Sequence, residues 1–162
     1  MKQGICSFAL AALSLASAES TPVARATDAK PLCTEAKRAC YETAAKAYFA
    51  GLLQANGTAV PFADAVRVTE QGKIVASSRA EMVAAFKLSG AAKAYRNVRM
   101  LVDEAAHSIV IFSISDVRPG KNEKPFSVRR AQRMKIERGL ITEVELVFFL
   151  DANPMALWPD QP

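Results

Sequence analysis

The sequence predicts an α+β fold in which two helices cover one face of a curved antiparallel sheet. Three observations predict it: a helical apolar period after residue 34, a second helix that begins at Ser78, and four successive segments of period two after Ala94. Strands joined by short connections pair antiparallel, and amphipathic helices bury their apolar faces on the sheet. Helices and strands are therefore expected to occupy separate layers.

The first 18 residues have the pattern of a secretory signal peptide. Lys2 supplies the positive start, an apolar run extends from Ile5 to Leu15, and Ala16-Ser17-Ala18 ends the segment with small residues. The run is shorter than the roughly 20 residues that span a bilayer, and no later segment is long and uncharged enough to do so. We therefore expect cleavage after Ala18 and a secreted or periplasmic protein that is not inserted in the membrane.

The remaining 144 of the 162 residues have the length of one domain. Residues 19–33 contain small residues and two prolines without an apolar period, which predicts a disordered leader. Residues 34–153 are predicted to form the domain, and residues 154–162 a C-terminal tail. Trp158 in this tail is expected to lie on the open end of the sheet.

Charge and motifs exclude several classes of function. Without Lys2 the chain keeps 20 of its 21 basic residues against 16 acidic ones, a net charge of +4. This is far from a dense basic patch, so no nucleic-acid partner is expected. The sequence contains no G-x-G-x-x-G, P-loop or H-E-x-x-H motif, and its single histidine, His107, falls in a predicted hairpin turn. No cofactor and no metal are expected.

Cys33 and Cys40 are the two cysteines of the mature chain. If both were helical, seven residues would place their Cα atoms roughly 10 Å apart, which is too far for a disulfide. A bridge requires Cys33 to lie outside the helix with the chain folded back, and free or intermolecularly paired thiols are the alternatives.

The elements follow from local patterns. Thr34 is the predicted N-cap of a long helix that ends at Asn56-Gly57, and "TAVPFADA" reads as a turn or loop. A short strand, "VRVT", precedes Gln71-Gly72, and Ser78 with Glu81 forms a capping box for the second helix, which stops at Ser89-Gly90. The four later strands are "YRNVRMLV", "SIVIFSISDV", "FSVRRAQRMKIE" and "LITEVELVFFL".

This order, with "AYFAGLLQANGTAVPFADAVRVTEQG", "SSRAEMVAAF" and "MKIERGLITEVELVFF", resembles the nuclear-transport-factor-2-like superfamily, which includes ketosteroid-isomerase-like and SnoaL-like proteins. The resemblance implies a cone-shaped sheet wrapped around the long N-terminal helix, a pocket between helices and sheet, and frequent homodimers. Enzymes, transport adaptors and scaffolds share this cone, so the fold leaves function open.

The resemblance also implies candidate site residues. Glu70 follows the first strand, where the isomerase branch has its proton-shuttling carboxylate, and Tyr48 lies near the place of the tyrosine that stabilises the enolate. Gln132 stands where the branch has a protonated carboxylic acid, which argues against isomerisation. The predicted pocket for a small apolar or amphipathic ligand consists of Tyr48, Phe49, Phe62, Glu70, Phe86, Gln132, Met134 and Trp158.

Three functions remain open at this point. The favoured one is a binding protein for a small amphipathic molecule, without assigned chemistry. The second is an isomerase- or cyclase-type enzyme with Glu70 as general base, because burial at the mouth of an apolar cone favours a neutral carboxyl. The third is a homodimeric interaction module whose working surface is the exposed sheet.

Overall fold

The computed structural model describes residues 30–35, 37–88, 92–118, 122 and 124–149. The predicted signal peptide and the tail with Trp158 lie outside this part. The described residues form the helices α1 (Arg38–Leu53) and α2 (Arg79–Leu88) and the strands β1 (Phe62–Glu70), β2 (Lys73–Ala76), β3 (Ala92–Asp103), β4 (Ser108–Val117), β5 (Phe126–Glu137) and β6 (Leu140–Phe149). The predicted α+β class, with a curved sheet and two helices, is confirmed.

The sheet has the strand order β2-β1-β6-β5-β4-β3, and its β3-to-β6 meander is antiparallel as predicted. The prediction of a wholly antiparallel sheet is wrong at one place, because β1 and β6 are parallel, with Glu70 opposite Leu146. The chain crosses from β2 at one edge to β3 at the other, and the meander then returns to β1. Parallel pairing arises here because these two strands are joined through the whole fold rather than by a hairpin.

The beginning of the sheet is longer than predicted. The first strand starts at Phe62, so half of the segment read as a loop is strand, and β2 was not predicted at all. Gln71 and Gly72 have φ of 50° and 77° and form the two-residue turn between β1 and β2. The strand was missed because Ile74 and Val75 are both exposed, which removes the alternation that marks a half-buried strand.

The ends of α1 also differ from the prediction. The N-cap is Lys37 instead of Thr34, and the residue in the left-handed conformation is Ala55, with φ of 51°, instead of Asn56 or Gly57. The backbone N–H groups of Asn56 and Ala55 donate to the carbonyls of Gly51 and Leu52, which is a Schellman motif. The capping box of α2 is present: Ser78 Oγ accepts from Glu81 N–H at 3.3 Å, and the Glu81 carboxylate accepts from Ser77 N–H at 2.6 Å.

The core lies between α1, α2 and the inner face of the sheet. Tyr41, Ala44, Ala45, Tyr48 and Leu52 of α1 are all buried against strand residues. Near the end of the helix, a Cβ on Gly51 would lie 2.6 Å from Val60 and 2.9 Å from the Phe86 ring. Glycine at this position therefore allows α1 to approach α2 closely.

Cys33 and Cys40 form a disulfide with a Cα–Cα distance of 5.6 Å. The bridge meets the condition derived from the sequence, since Cys33 precedes α1 and the chain folds back onto it. Pro31 and Cys33, at the end of the predicted leader, lie against the β5–β6 turn, where a Cβ on Gly139 would collide with the Cys33 carbonyl. The disulfide therefore holds the segment 30–35 on one end of the cone.

Candidate ligand-binding site

The register of the sheet places two predicted polar residues on one inner row. Glu70 is opposite Leu146, Leu146 is opposite Gln132, and Gln132 is opposite Ile111. Alternation along β5 divides its side chains between two faces, and four of them are buried on the inner face. These are Val128, Gln132, Met134 and Ile136.

Four aromatic side chains of the predicted pocket contact one another beside this row. The Tyr48 ring lies 5.9 Å from Phe49, 6.0 Å from Phe62 and 5.2 Å from Phe86, all in edge-to-face geometry. Phe62 and Phe86 are 5.5 Å apart. Such pairs stabilise a core beyond the area that they bury. The structure thus brings together the predicted aromatic residues, which form an apolar wall.

The side chain of Gln132 is buried and forms no hydrogen bond with the described residues. Its side chain is 1% exposed, and neither Oε1 nor Nε2 has a hydrogen-bond partner among the described residues. A buried amide without partners costs roughly 1–3 kcal/mol, and buried polar groups in folded proteins are nearly always paired. Gln132 therefore offers one donor and one acceptor, both unused, to whatever lies next to it inside the cone.

The buried Tyr48 hydroxyl is influenced by the other polar side chains inside the cone. Burial raises its pKa to about 12, the charge of Arg130 opposes this increase, and Tyr95, Gln132 and Glu70 contribute smaller effects. The Gln132 carboxamide lies close enough to influence this hydroxyl but does not meet the geometry of a hydrogen bond. Tyr48 consequently stays protonated at physiological pH and can donate its hydrogen to a ligand oxygen.

Alkaline pH should destabilise the protein through Tyr48. The unfolded tyrosine loses its proton near pH 10, whereas the folded one keeps it until about 12. Stability from this group is complete below pH 10 and falls as the pH rises toward 12, by about 2 kcal/mol at about pH 11.5. Urea unfolding of wild type and Tyr48→Phe, measured below pH 10 and again at about pH 11.5, isolates this contribution. An equal alkaline loss in both proteins would contradict the burial of this hydroxyl.

Arg130 and Tyr95 belong to the site and were not predicted. Arg130 Nη1 donates to Tyr95 Oη at 2.9 Å, and the guanidinium carbon lies 5.6 Å from the centre of the Tyr95 ring. Tyr95 in turn packs on Phe49 at 4.6 Å. The signal for Arg130 was present in the sequence, because alternation places it on the same face of β5 as Gln132. Tyr95 gave no signal, since a bulge near Asn97 interrupts the alternation of β3.

Glu70 stands apart from the other candidates. It ends β1 and is half-buried, and its carboxylate has no hydrogen bond to a side chain or backbone group of the described residues. Two strand spacings separate it from Gln132, which puts the two Cα atoms about 10 Å apart. The side chains of Tyr48 and Gln132 come together, whereas Glu70 faces them across Leu146.

A cavity of about 380 Å³ lies at the other end of the cone. Two of its polar groups contact each other: Tyr41 Oη and His107 Nδ1 are 3.2 Å apart, and burial, together with the charges of Glu104 and Asp103, raises the pKa of Tyr41. His107 is exposed in the β3–β4 turn as predicted. Because the unpartnered groups lie beside Tyr48 instead, we place the candidate site there and not in this cavity. The cavity is lined by Thr34, Glu35, Cys40, Tyr41, His107, Ile136, Glu137, Arg138 and Gly139.

Several charged side chains on the outer face of the sheet form ion pairs with one another. Arg133 forms ion pairs with Glu143 and Glu145 at 3.1 and 2.8 Å, and Lys135 pairs with Glu137 at 2.9 Å.

The described part of the chain contains no cluster of three or more side chains that could hold a metal ion. Within the same part, no helix is long and apolar enough to cross a membrane.

Comparison with solved structures shows that the fold is similar to that of nuclear-transport-factor-2-like proteins. An NTF2-like protein of unknown function from Cytophaga hutchinsonii has a TM-score of 0.55 at 16% identity, over 68% of this chain and 97% of its own. SalBIII, an epoxide hydrolase/cyclase-like enzyme with a role in pyran ring formation in salinomycin, has a TM-score of 0.63 at 12% identity, over 72% and 95%. At these identities the likeness shows the fold alone, and it confirms the predicted cone-shaped α+β fold.

Residues 34–148 match the family described as "Domain of unknown function (DUF8021)". The match covers most of the chain, so the protein belongs to this family. A protein of unknown function with a cystatin-like fold from Methylobium petroleophilum shares the architecture as well, with a TM-score of 0.58 at 16% identity, over 74% of this chain and 83% of its own. No curated protein sequence matches the chain.

Proposed function

We propose that the mature protein binds a small amphipathic molecule inside the cone. The observation that carries the proposal is Gln132, a buried carboxamide whose nitrogen and oxygen have no hydrogen-bond partner within the described part of the chain. A ligand with a carbonyl or amide group would satisfy them, and the protonated Tyr48 hydroxyl would add a second donor. The aromatic wall of Phe49, Phe62 and Phe86 would contact its apolar part.

The proposal is tested by Gln132→Leu. Removal of an unsatisfied buried amide should raise the free energy of unfolding by about 1–2 kcal/mol while binding is lost. The probe is 2-naphthamide, whose amide complements Gln132, with calorimetric titration as the measurement. We expect binding to weaken at least about tenfold, because two hydrogen bonds are lost.

Met134→Leu is the matched control, since Met134 is buried on the same face of β5 and the exchange conserves volume. It should retain both stability and binding. Undiminished binding in Gln132→Leu, or a less stable variant, would contradict a ligand-directed role for Gln132. The combination of greater stability and weaker binding is the signature of a site that sacrifices stability for recognition.

An enzyme of isomerase or cyclase type is the second candidate. It is favoured by the position of Glu70 on the inner face of the sheet. Two strand spacings, about 10 Å, separate Glu70 from Gln132, whose side chain lies close to the Tyr48 hydroxyl. A ligand between them would contact a carboxylate base on one side and neutral donors on the other. In an enzyme, Glu70→Gln should abolish turnover without weakening ligand binding. In a protein that only binds the ligand, the same exchange should leave the affinity unchanged.

We also propose that the protein works outside the cytoplasm and as a homodimer. The disulfide between Cys33 and Cys40 supports an oxidising compartment, in agreement with the predicted signal peptide. Val147 and Phe149, which are exposed on the same face of β6, support association of two copies through the sheet. N-terminal sequencing and light scattering of the exported protein test these two points.

A further inference from the structure

Arg130 is a cation inside the cone that has no anionic partner among the residues that the structure describes. It occupies the inner face of β5, two residues from Gln132, and is half-buried. Its single described hydrogen bond joins Nη1 to the neutral Tyr95 hydroxyl at 2.9 Å, and no carboxylate of the described residues forms an ion pair with it. On the outer face, by contrast, Arg133 pairs with two glutamates.

Such an arrangement leaves most of the guanidinium unused. An arginine has five N–H donors in a planar fork, and Tyr95 accepts from one of them. Glu70, the nearest carboxylate on the inner face by strand register, lies two strands away, at about 10 Å or more. At that distance an ion pair is not formed, and a half-buried cation stays incompletely compensated.

The surrounding groups are all suited to an anion. Tyr48 is a neutral donor, and the charge of Arg130 reaches its hydroxyl. Gln132 contributes an unpaired Nε2 donor and is 1% exposed. The Tyr95 ring holds the guanidinium in place by a cation–π contact. Cation, hydroxyl and amide thus converge from α1 and β5 beside an apolar wall.

We infer that Arg130 is the anion-binding residue of the site and that the ligand is an amphipathic carboxylate. The carboxylate would accept two parallel N–H bonds from the guanidinium, and the apolar part would lie on the aromatic wall. This inference rests on the proposed function and specifies the charge of the ligand. It separates Arg130, which recognises the anion, from Gln132, which recognises any hydrogen-bonding group.

The test compares two probes of the same shape, 2-naphthoate, which is ionised at pH 7, and the neutral 2-naphthamide. In calorimetric titrations at fixed salt concentration, wild type should bind the naphthoate about 10- to 100-fold more tightly, the range given by a charge-assisted pair. Arg130→Met keeps the aliphatic stem and should abolish this preference, so that the two probes bind with equal affinity. Arg129→Met, the neighbouring residue on the opposite face of β5, is the control and should preserve the preference.

The outcomes separate the inference from the proposed function. If both probes bind wild type equally, with dependence on Gln132, the site binds ligands but Arg130 does not select anions, and the inference is overturned. If neither probe binds, the proposed function fails as well. A preference for naphthoate that persists in Arg130→Met would assign the anion to another group. Circular dichroism of each variant establishes that the cone is folded before affinities are compared.

Discussion

Phe86→Ala is expected to lower the free energy of unfolding by about 3–5 kcal/mol, the usual cost of truncating a buried phenylalanine. The side chain is 1% exposed and contacts Tyr48 and Phe62 at 5.2 and 5.5 Å. A Cβ on Gly51 or Gly57 would lie about 3 Å from this ring, so the backbone around it is already close-packed. Because neighbouring backbone relaxes little, the cavity stays largely open and the cost is high.

Urea unfolding followed by circular dichroism measures this loss. Leu88→Ala in the same helix is the control, since Leu88 is 86% exposed and its removal should change stability by less than about 0.5 kcal/mol. A loss below about 1.5 kcal/mol for Phe86→Ala would mean that the aromatic wall is not part of the core. In that case the rings would be free to move, and the site would lack a preformed apolar side.

Removal of the disulfide has the second largest expected effect. The bridge between Cys33 and Cys40 closes a loop of eight residues, for which chain entropy gives about 2.5 kcal/mol. The double variant Cys33→Ser/Cys40→Ala should be less stable by this amount, with alanine chosen because Cys40 is buried. Its segment 30–35 should leave the Gly139 turn and become accessible to proteases.

Treatment with dithiothreitol provides an independent check on the same bond. Wild type should lose about the same 2.5 kcal/mol on reduction, whereas the double variant should not respond. Equal stability of reduced and oxidised wild type would show that the bridge does not constrain the unfolded chain. Protease sensitivity at residues 30–35 that is unchanged by reduction would show that packing on Gly139 suffices to hold the segment.

Strands with strong periodicity were predicted to the residue, and irregular features were not. "SIVIFSISDV" and "FSVRRAQRMKIE" coincide with β4 and β5, because unbroken runs bounded by turns carry a clear signal. β2 is four residues long with exposed apolar side chains, and Ala55 adopts a conformation for which its identity gives no hint. The parallel pairing of β1 and β6 depends on the path of the whole chain.

The candidate site likewise contains residues that the sequence indicated and residues that only the structure revealed. Tyr48, Phe49 and Phe86 fall on predicted helices and Gln132 on a predicted strand, and the resemblance to the cone fold implied their place in the pocket. Phe62 was implied by the resemblance alone, because its segment was read as a loop. Arg130 was detectable from alternation, but a lone arginine on an apolar face gains meaning only when its partners are known. Tyr95 required the three-dimensional structure, because a bulge in β3 and the packing of Phe49 determine where its hydroxyl lies.

Native mass spectrometry of the exported wild-type protein is the most direct test of ligand binding inside the cone. The native mass should exceed the denatured mass by that of a small molecule, and the same comparison for Gln132→Leu should show no difference. A wild-type protein that is empty, dimeric and unable to bind either naphthalene probe would contradict the binding function. It would favour instead an interaction module that works through its outer sheet face.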